Sequence, residues 1–241
     1  MKHVHIVDKL KELGFELDDL TLGDFDLIGE WCAKKQRNFD HPLYKTAGAF
    51  FRPNYERGLL IYSLILHYDI KSFLEIGFGR GYGTLCAAMA MIENGGGSIT
   101  TIDANLDHMY IADHIKKLKQ AFPKEWFDII TFVPEFSQNY LSSIEDEFDF
   151  IYIDGDHRYE AVKMDWELCE NRYNKLLLFD DYHLPTKAGE SPDIECARLI
   201  DEIDDGSKEL IIMDRRVFVD DRKLSDSEID YGQVLLTKEE I

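Results

Sequence analysis

The chain has 241 residues, of which 27 are basic and 47 acidic, a formal net charge of −20. That balance repels phosphate backbones and anionic headgroups, which argues against nucleic acid and membrane surfaces as partners. The length suits one full α/β domain with a small appendage. The cysteines Cys32, Cys86, Cys169 and Cys196 form no CxxC pair, so neither a zinc site nor a disulfide framework is signalled.

Residues 1–58 show no strand alternation, and helices are expected over residues 8–13 and 24–38. The connector HPLYKTAGAFFRPNYERG follows, carrying prolines and the aromatics Tyr44, Phe50, Phe51 and Tyr55. These aromatics would dock the segment or wall an acceptor pocket, and Arg52 and Arg57 are read as solvated surface residues or as groups that orient an anionic substituent on an acceptor. Residues 1–58 are therefore expected to form an N-terminal helical cap, with residues 59–241 as the main domain. The longest apolar run, LLIYSLIL, is too short to span a bilayer, and a cytoplasmic protein is expected.

From Ser72 onward, the apolar runs SFLEIG, SITTID, FDIITFV, FDFIYID and KLLLFDD read as buried strands. Between them, YGTLCAAMAMIEN, DHMYIADHIKKLKQAF, SQNYLSSI and RYEAVKMDWELCENRY carry helix-period apolar positions. Repeated βαβ units with right-handed crossovers would cover both faces of a parallel sheet. After Pro192 comes a helix, IECARLIDEI, then the strands ELIIMDRRVFVDD and YGQVLLTKE with no room for a crossover helix. The expected fold is α/β: a Rossmann-like, doubly wound, mostly parallel sheet with an antiparallel C-terminal strand and the helical cap.

The stretch FLEIGFGRGYGT puts Gly77, Gly79, Gly81 and Gly83 where the first strand turns into a helix near Tyr82. Glycines there permit positive φ and close approach of a ligand. A dinucleotide fingerprint needs GxGxxG, and Tyr82 stands where its last glycine belongs; a P-loop needs a lysine that is missing. The pattern ExGxGxG resembles the first motif of class I S-adenosylmethionine-dependent methyltransferases. Acidic Glu75 suits that ligand, because carboxylates attract a sulfonium amino acid and repel a pyrophosphate. Asp103, ending the second strand, can accept both ribose hydroxyl protons at the sheet crevice.

Two later strands end in acids, in FDFIYIDGDHRYEAVKMDW and KLLLFDDYH. Asp154 and Asp180 should emerge side by side, and Asp181 can join them where strand alternation relaxes. Three converging carboxylates repel unless a hard divalent cation is present, with Mg2+ the first choice. DGDHxYexVxxDxxL followed by DDYH resembles the metal-dependent small-molecule O-methyltransferases, in particular the macrolide-sugar type. That resemblance implies Asp154, Asp180 and Asp181 as metal ligands and His157 as the catalytic base. It also implies a cofactor site of Glu75, Gly77, Gly79, Gly81, Tyr82, Asp103, Ser137 and Asp154, with adenine near Glu135, Phe136 and Ser137. A homodimer built through the cap is what the family suggests.

The expected activity is metal-dependent transfer of a methyl group from S-adenosylmethionine to a hydroxyl of a small molecule, a sugar or vicinal diol. Three alternatives stand beside it: a metal-independent N-methyl or alkyl transferase, an NAD-dependent oxidoreductase, and an inactive cofactor-binding module.

Overall fold

The computed structural model describes residues 1–15, Ile28, Cys32, 55–183, 195–213 and 231–238. Strand β1 (Lys2–His5) leads into α1 (Ile6–Glu12), and α2 (Tyr55–His67) opens the main body. There follow β2 (Ser72–Ile76), α3 (Tyr82–Glu93), β3 (Ser98–Ile102), α4 (Met109–Ala121), α5 (Lys124–Asp128) and β4 (Ile130–Val133). Then come α6 (Ser137–Ser143), β5 (Phe148–Ile153), α7 (Tyr159–Cys169), β6 (Tyr173–His183), α8 (Cys196–Glu202), β7 (Glu209–Ile212) and β8 (Tyr231–Thr237).

The strands form one eight-stranded sheet in the order β1-β7-β8-β6-β5-β2-β3-β4. All pairings are parallel except those of β8, which runs antiparallel to both β6 and β7. This is the expected doubly wound sheet with a reversed C-terminal strand.

Strand alternation divides the core in two. Phe73, Phe150, Tyr152, Leu176 and Leu178 face the layer that holds α1 to α4, including Leu59, Leu64, Ala87 and Leu118. Their neighbours Leu74, Ile76, Ile151, Ile153, Leu177 and Phe179 face α6, α7 and α8 through Leu141, Val162 and Leu199. Because strands β2, β5 and β6 are covered on both faces, they read as continuous apolar runs rather than alternating ones. Helix α3 is apolar nearly all round for the same reason, with Leu85, Cys86, Ala87, Ala88, Ala90 and Met91 all buried.

The N-terminal segment differs from expectation in one respect. Residues 2–5 form an edge strand parallel to β7, with Val4 opposite Ile211, so the first 58 residues are not wholly helical. A four-residue edge strand is too short for alternation to show, and its backbone bonds come from a partner about two hundred residues away. Glu209 anchors this edge, accepting from Lys2 Nζ at 2.7 Å and Lys9 Nζ at 2.5 Å. The helix expected over 8–13 is α1; of the one expected over 24–38, Ile28 and Cys32 are helical and buried. Tyr44, Phe50, Phe51 and Arg52 lie outside the described residues. No described helix is long and apolar enough to cross a membrane.

Candidate active site

Strand register aligns the motif residues in one row. Ile76 pairs with Ile102 on one side and with Ile153 on the other, and Ile153 pairs with Phe179. The next residue of each strand therefore stands at the same carboxyl edge: Asp103, Gly77, Asp154 and Asp180. Backbone bonds lock the row, Gly77 N donating to Ile102 O at 2.8 Å and Asp154 N to Ile76 O at 2.8 Å. Strand order reverses between β2 and β5, which opens the crevice where such sheets bind ligands. A cavity of about 1020 Å³ lies there.

The glycine turn forms one wall. Gly77, Gly79 and Gly81 have φ of +97°, +51° and +81°, conformations that a side chain would strain. Gly77 has a second constraint: a Cβ on it would lie 2.0 Å from Asp154 O. Gly83 is helical and packs on Glu75, whose Oε1 would be 2.5 Å from an added Cβ. Glu75 is buried beneath the turn, and its Oε2 accepts from Thr101 Oγ1 at 2.7 Å and from Thr84 Oγ1. Burial raises this carboxyl to about 7, against the pull of those two hydroxyls.

Asp103 faces the turn. Its Oδ2 accepts from Gly79 N at 3.2 Å, and its Oδ1 from Asn105 N at 2.8 Å and Asn105 Nδ2 at 3.1 Å. At the far end of the cavity, Glu135, Phe136 and Ser137 form the lining together with Met164 and Asp165. Phe136 is 61% exposed and Met164 41%, so two large apolar groups stand open to the cavity. Ser137 Oγ donates to Asp165, whose carboxyl burial raises to about 6.

The acidic end brings Asp154, Asp180 and Asp181 together with His157. Asp154, His157 and Asp181 converge, each offering a ligand atom within 4.8 Å of the others. Asp181 has φ +50° at an irregularity where β6 slips against β8, and this turns it toward the same crevice as its neighbour's strand end. His157 Nε2 lies 3.1 Å from Asp181 Oδ2, and His157 Nδ1 lies 3.6 Å from Cys196 Sγ. Asp180, expected as a ligand, stands beside Asp154 and is engaged on both oxygens: its Oδ1 accepts from Gln233 Nε2 at 2.8 Å, and its Oδ2 meets Arg57 Nη2. Arg57 Nη1 also donates to Asp154 Oδ2 at 2.9 Å. Burial pushes the Asp154 carboxyl well above the ordinary carboxylate range, while Arg57 pulls against that shift.

His157 lies two residues before α7, which starts at Tyr159 with Arg158 as N-cap. Asp156 accepts from Arg158 N at 3.1 Å and pairs with the Arg158 side chain, which holds its carboxyl below the usual range. Tyr159 N is capped from α8's side by Glu195 Oε2 at 3.1 Å.

Arg57, read as a solvated surface residue, is instead largely buried between two acids, and Gln233 carried no readable signal. Arg57 and Gln233 reach the site from α2 and from the antiparallel strand β8, far from the acids in sequence. Thr84 and Thr101 could have been suspected, since each lies at a motif end, but only the fold turns both onto Glu75.

The sheet order, with its single reversed strand, and the glycine turn facing an acid at the end of the next strand define the class I methyltransferase fold. Solved structures share it. An O-methyltransferase from Streptomyces achromogenes involved in tomaymycin synthesis, in complex with SAM, is 14% identical over 97% of this chain and 96% of its own, with a TM-score of 0.57. An O-methyltransferase from Bacillus cereus in complex with SAH is 15% identical over 97% of each chain, with a TM-score of 0.59. An SAH-bound methyltransferase from Podospora anserina is 15% identical over 89% of this chain and 88% of its own, with a TM-score of 0.55. No curated protein sequence matches.

Residues 74–182 match the family described as a methyltransferase domain. The match covers the glycine turn and the strand-end acids, and the solved structures share the fold around them.

Proposed function

We propose that the protein transfers a methyl group from S-adenosylmethionine to a hydroxyl oxygen of a small molecule, a sugar or vicinal diol, with the help of a divalent cation. The observation that carries this reading is the convergence of Asp154, His157 and Asp181 beside the glycine turn, at the open edge of the sheet.

The donor set suits a hard cation. Asp154 and Asp181 supply carboxylate oxygens, and Mg2+ needs only one or two of these, completing its shell with water and substrate oxygens. Asp154 and Asp181 would hold the ion, with His157 beside them. When bound, the ion would lower the pKa of a hydroxyl and orient two neighbouring oxygens. SAM- and SAH-bound structural neighbours support the cofactor, and O-methyltransferases among them support oxygen as the acceptor atom.

The chain's own residues take the remaining roles. Gly77, Gly79 and Gly81 bring backbone close to the cofactor, and Asp103 accepts its ribose hydroxyls. Tyr82 and Ser137 line the same cavity. His157 takes the acceptor's proton, which requires Nε2 to turn from Asp181 toward the hydroxyl; Asp181 then stabilises the imidazolium. Phe136 and Met164 offer apolar surface to one flank of the cavity.

The test is calorimetric titration with S-adenosylmethionine and S-adenosylhomocysteine, followed by turnover of vicinal diols and sugars with Mg2+ or with chelator. Turnover that survives chelation would overturn the metal requirement. Methylation of amines alone would overturn the hydroxyl acceptor.

A further inference from the structure

The Asp154–Asp180 pair already holds a cation of the protein's own. Strand register sets these acids side by side on β5 and β6. Such a pair, removed from water, cannot carry two charges without compensation. The Arg57 guanidinium spans them, Nη1 reaching Asp154 Oδ2 at 2.9 Å and Nη2 reaching Asp180 Oδ2. The Asp180 side chain is fully buried, and those of Arg57 and Asp154 are each 17% exposed.

Neutral groups close the arrangement into a ring. Gln233 Nε2 donates to Asp180 Oδ1 at 2.8 Å and to Tyr152 Oη at 3.3 Å, and Tyr152 Oη donates to Asp154 Oδ2 at 3.3 Å. Asp154 Oδ2 therefore takes two donors, one of them charged. A forked guanidinium can bridge carboxylates on adjacent strands in this way, whereas an ammonium is a point charge.

We propose that Arg57 is the resident counter-cation of the acidic site and competes with a divalent ion for Asp154. Asp154 belongs to both groups: it is bridged to Asp180 by Arg57, and it converges with His157 and Asp181. A divalent ion entering beside Asp154 meets the positive guanidinium at close range, in surroundings that screen poorly. Metal affinity is thereby held down, and ion entry loosens the Arg57–Asp154 bond. This inference rests on the divalent-cation reading only for the identity of the competitor.

The experiment titrates Mn2+ alone into the wild type, Arg57→Gln and Arg57→Lys by calorimetry, with thermal melts of each. Arg57→Gln should bind Mn2+ about tenfold more tightly or better. Its melting temperature without metal should fall below that of the wild type and recover with Mn2+. Arg57→Lys, which keeps the charge, should bind like the wild type. Equal or weaker Mn2+ binding by Arg57→Gln would overturn the proposal. Mn2+ binding by Arg57→Gln but not by the wild type would uphold it and defeat the metal reading of the native site. Should Arg57→Gln not fold, the wild type gives the answer by arginine-detected NMR with diamagnetic Mg2+. The Arg57 guanidinium resonances should shift as Mg2+ binds, and binding that leaves them unmoved would overturn the proposal.

Discussion

The backbone N–H of Gly79 donates to Asp103 Oδ2 across 3.2 Å, so the turn after β2 and the acid at the end of β3 are joined without a ligand. Asn105 fixes the other carboxylate oxygen from the opposite side. Asp103 thus faces the crevice in a set orientation, and a ligand's hydroxyls need not organise it.

Replacing that acid should affect cofactor alone. Asp103→Ala is expected to weaken S-adenosylmethionine by about 1.5–3 kcal/mol, the range for hydrogen bonds to a charged group. Asp180→Ala, at the far side of Arg57, should leave cofactor affinity within about twofold of wild type. Calorimetry on both variants checks this; equal losses would show that the two regions are one site.

Glu75 should make stability depend on pH. Its carboxyl is raised to about 7 from an ordinary 4.5, so the folded state holds a proton that the unfolded chain releases. Its effect is therefore absent below about pH 4.5, and stability is lost as pH rises from there to about 7. The loss is on the order of 3 kcal/mol, at 1.36 kcal/mol per unit. Glu75→Gln retains an acceptor for Thr84 and Thr101 without the charge. Denaturant unfolding between pH 5 and 8 should show a flatter profile in this variant, and parallel profiles would refute the assignment.

Gly77→Ala tests the close approach of the turn to β5. The added methyl would meet Asp154 O at 2.0 Å, in a backbone with φ +97°, so both sterics and torsion oppose it. A loss of about 2 kcal/mol or more in unfolding free energy is expected. Gly79→Ala has the strained φ of +51° but open space around its Cβ, and should lose less. Equal losses would mean that torsion alone decides.

His157→Ala should bind cofactor and Mn2+ as the wild type does, while kcat falls by about 10²–10⁴. Loss of Mn2+ binding would instead make the imidazole a metal ligand and remove it as the base. Titrating Mn2+ before measuring turnover separates the two.

The sheet and much of the crevice's lining were legible in the chain itself. Runs such as FDFIYID and KLLLFDD are apolar because β5 and β6 are covered on both faces, and βαβ connection forces parallel neighbours. Glycine spacing is equally local: Gly77, Gly79 and Gly81 mark positive φ within one turn. Strand-end acids are legible too, since parallel strands deliver Asp103, Asp154 and Asp180 to one edge whatever their exact register. Strand β1 was not legible, because its bonds belong to β7 and its length hides the period.

How those acids are shared out was decided only by tertiary structure. The sequence grouped Asp154, Asp180 and Asp181, because adjacency in the chain and at strand ends is all it displays. In the fold, β8 brings Gln233 and α2 brings Arg57 to Asp180, while the turned backbone of Asp181 carries its carboxylate to His157. Local pattern determines which residues reach the carboxyl edge of the sheet. Charge compensation among groups distant in the chain determines which partner each one keeps, and that depends on distances no linear spacing encodes.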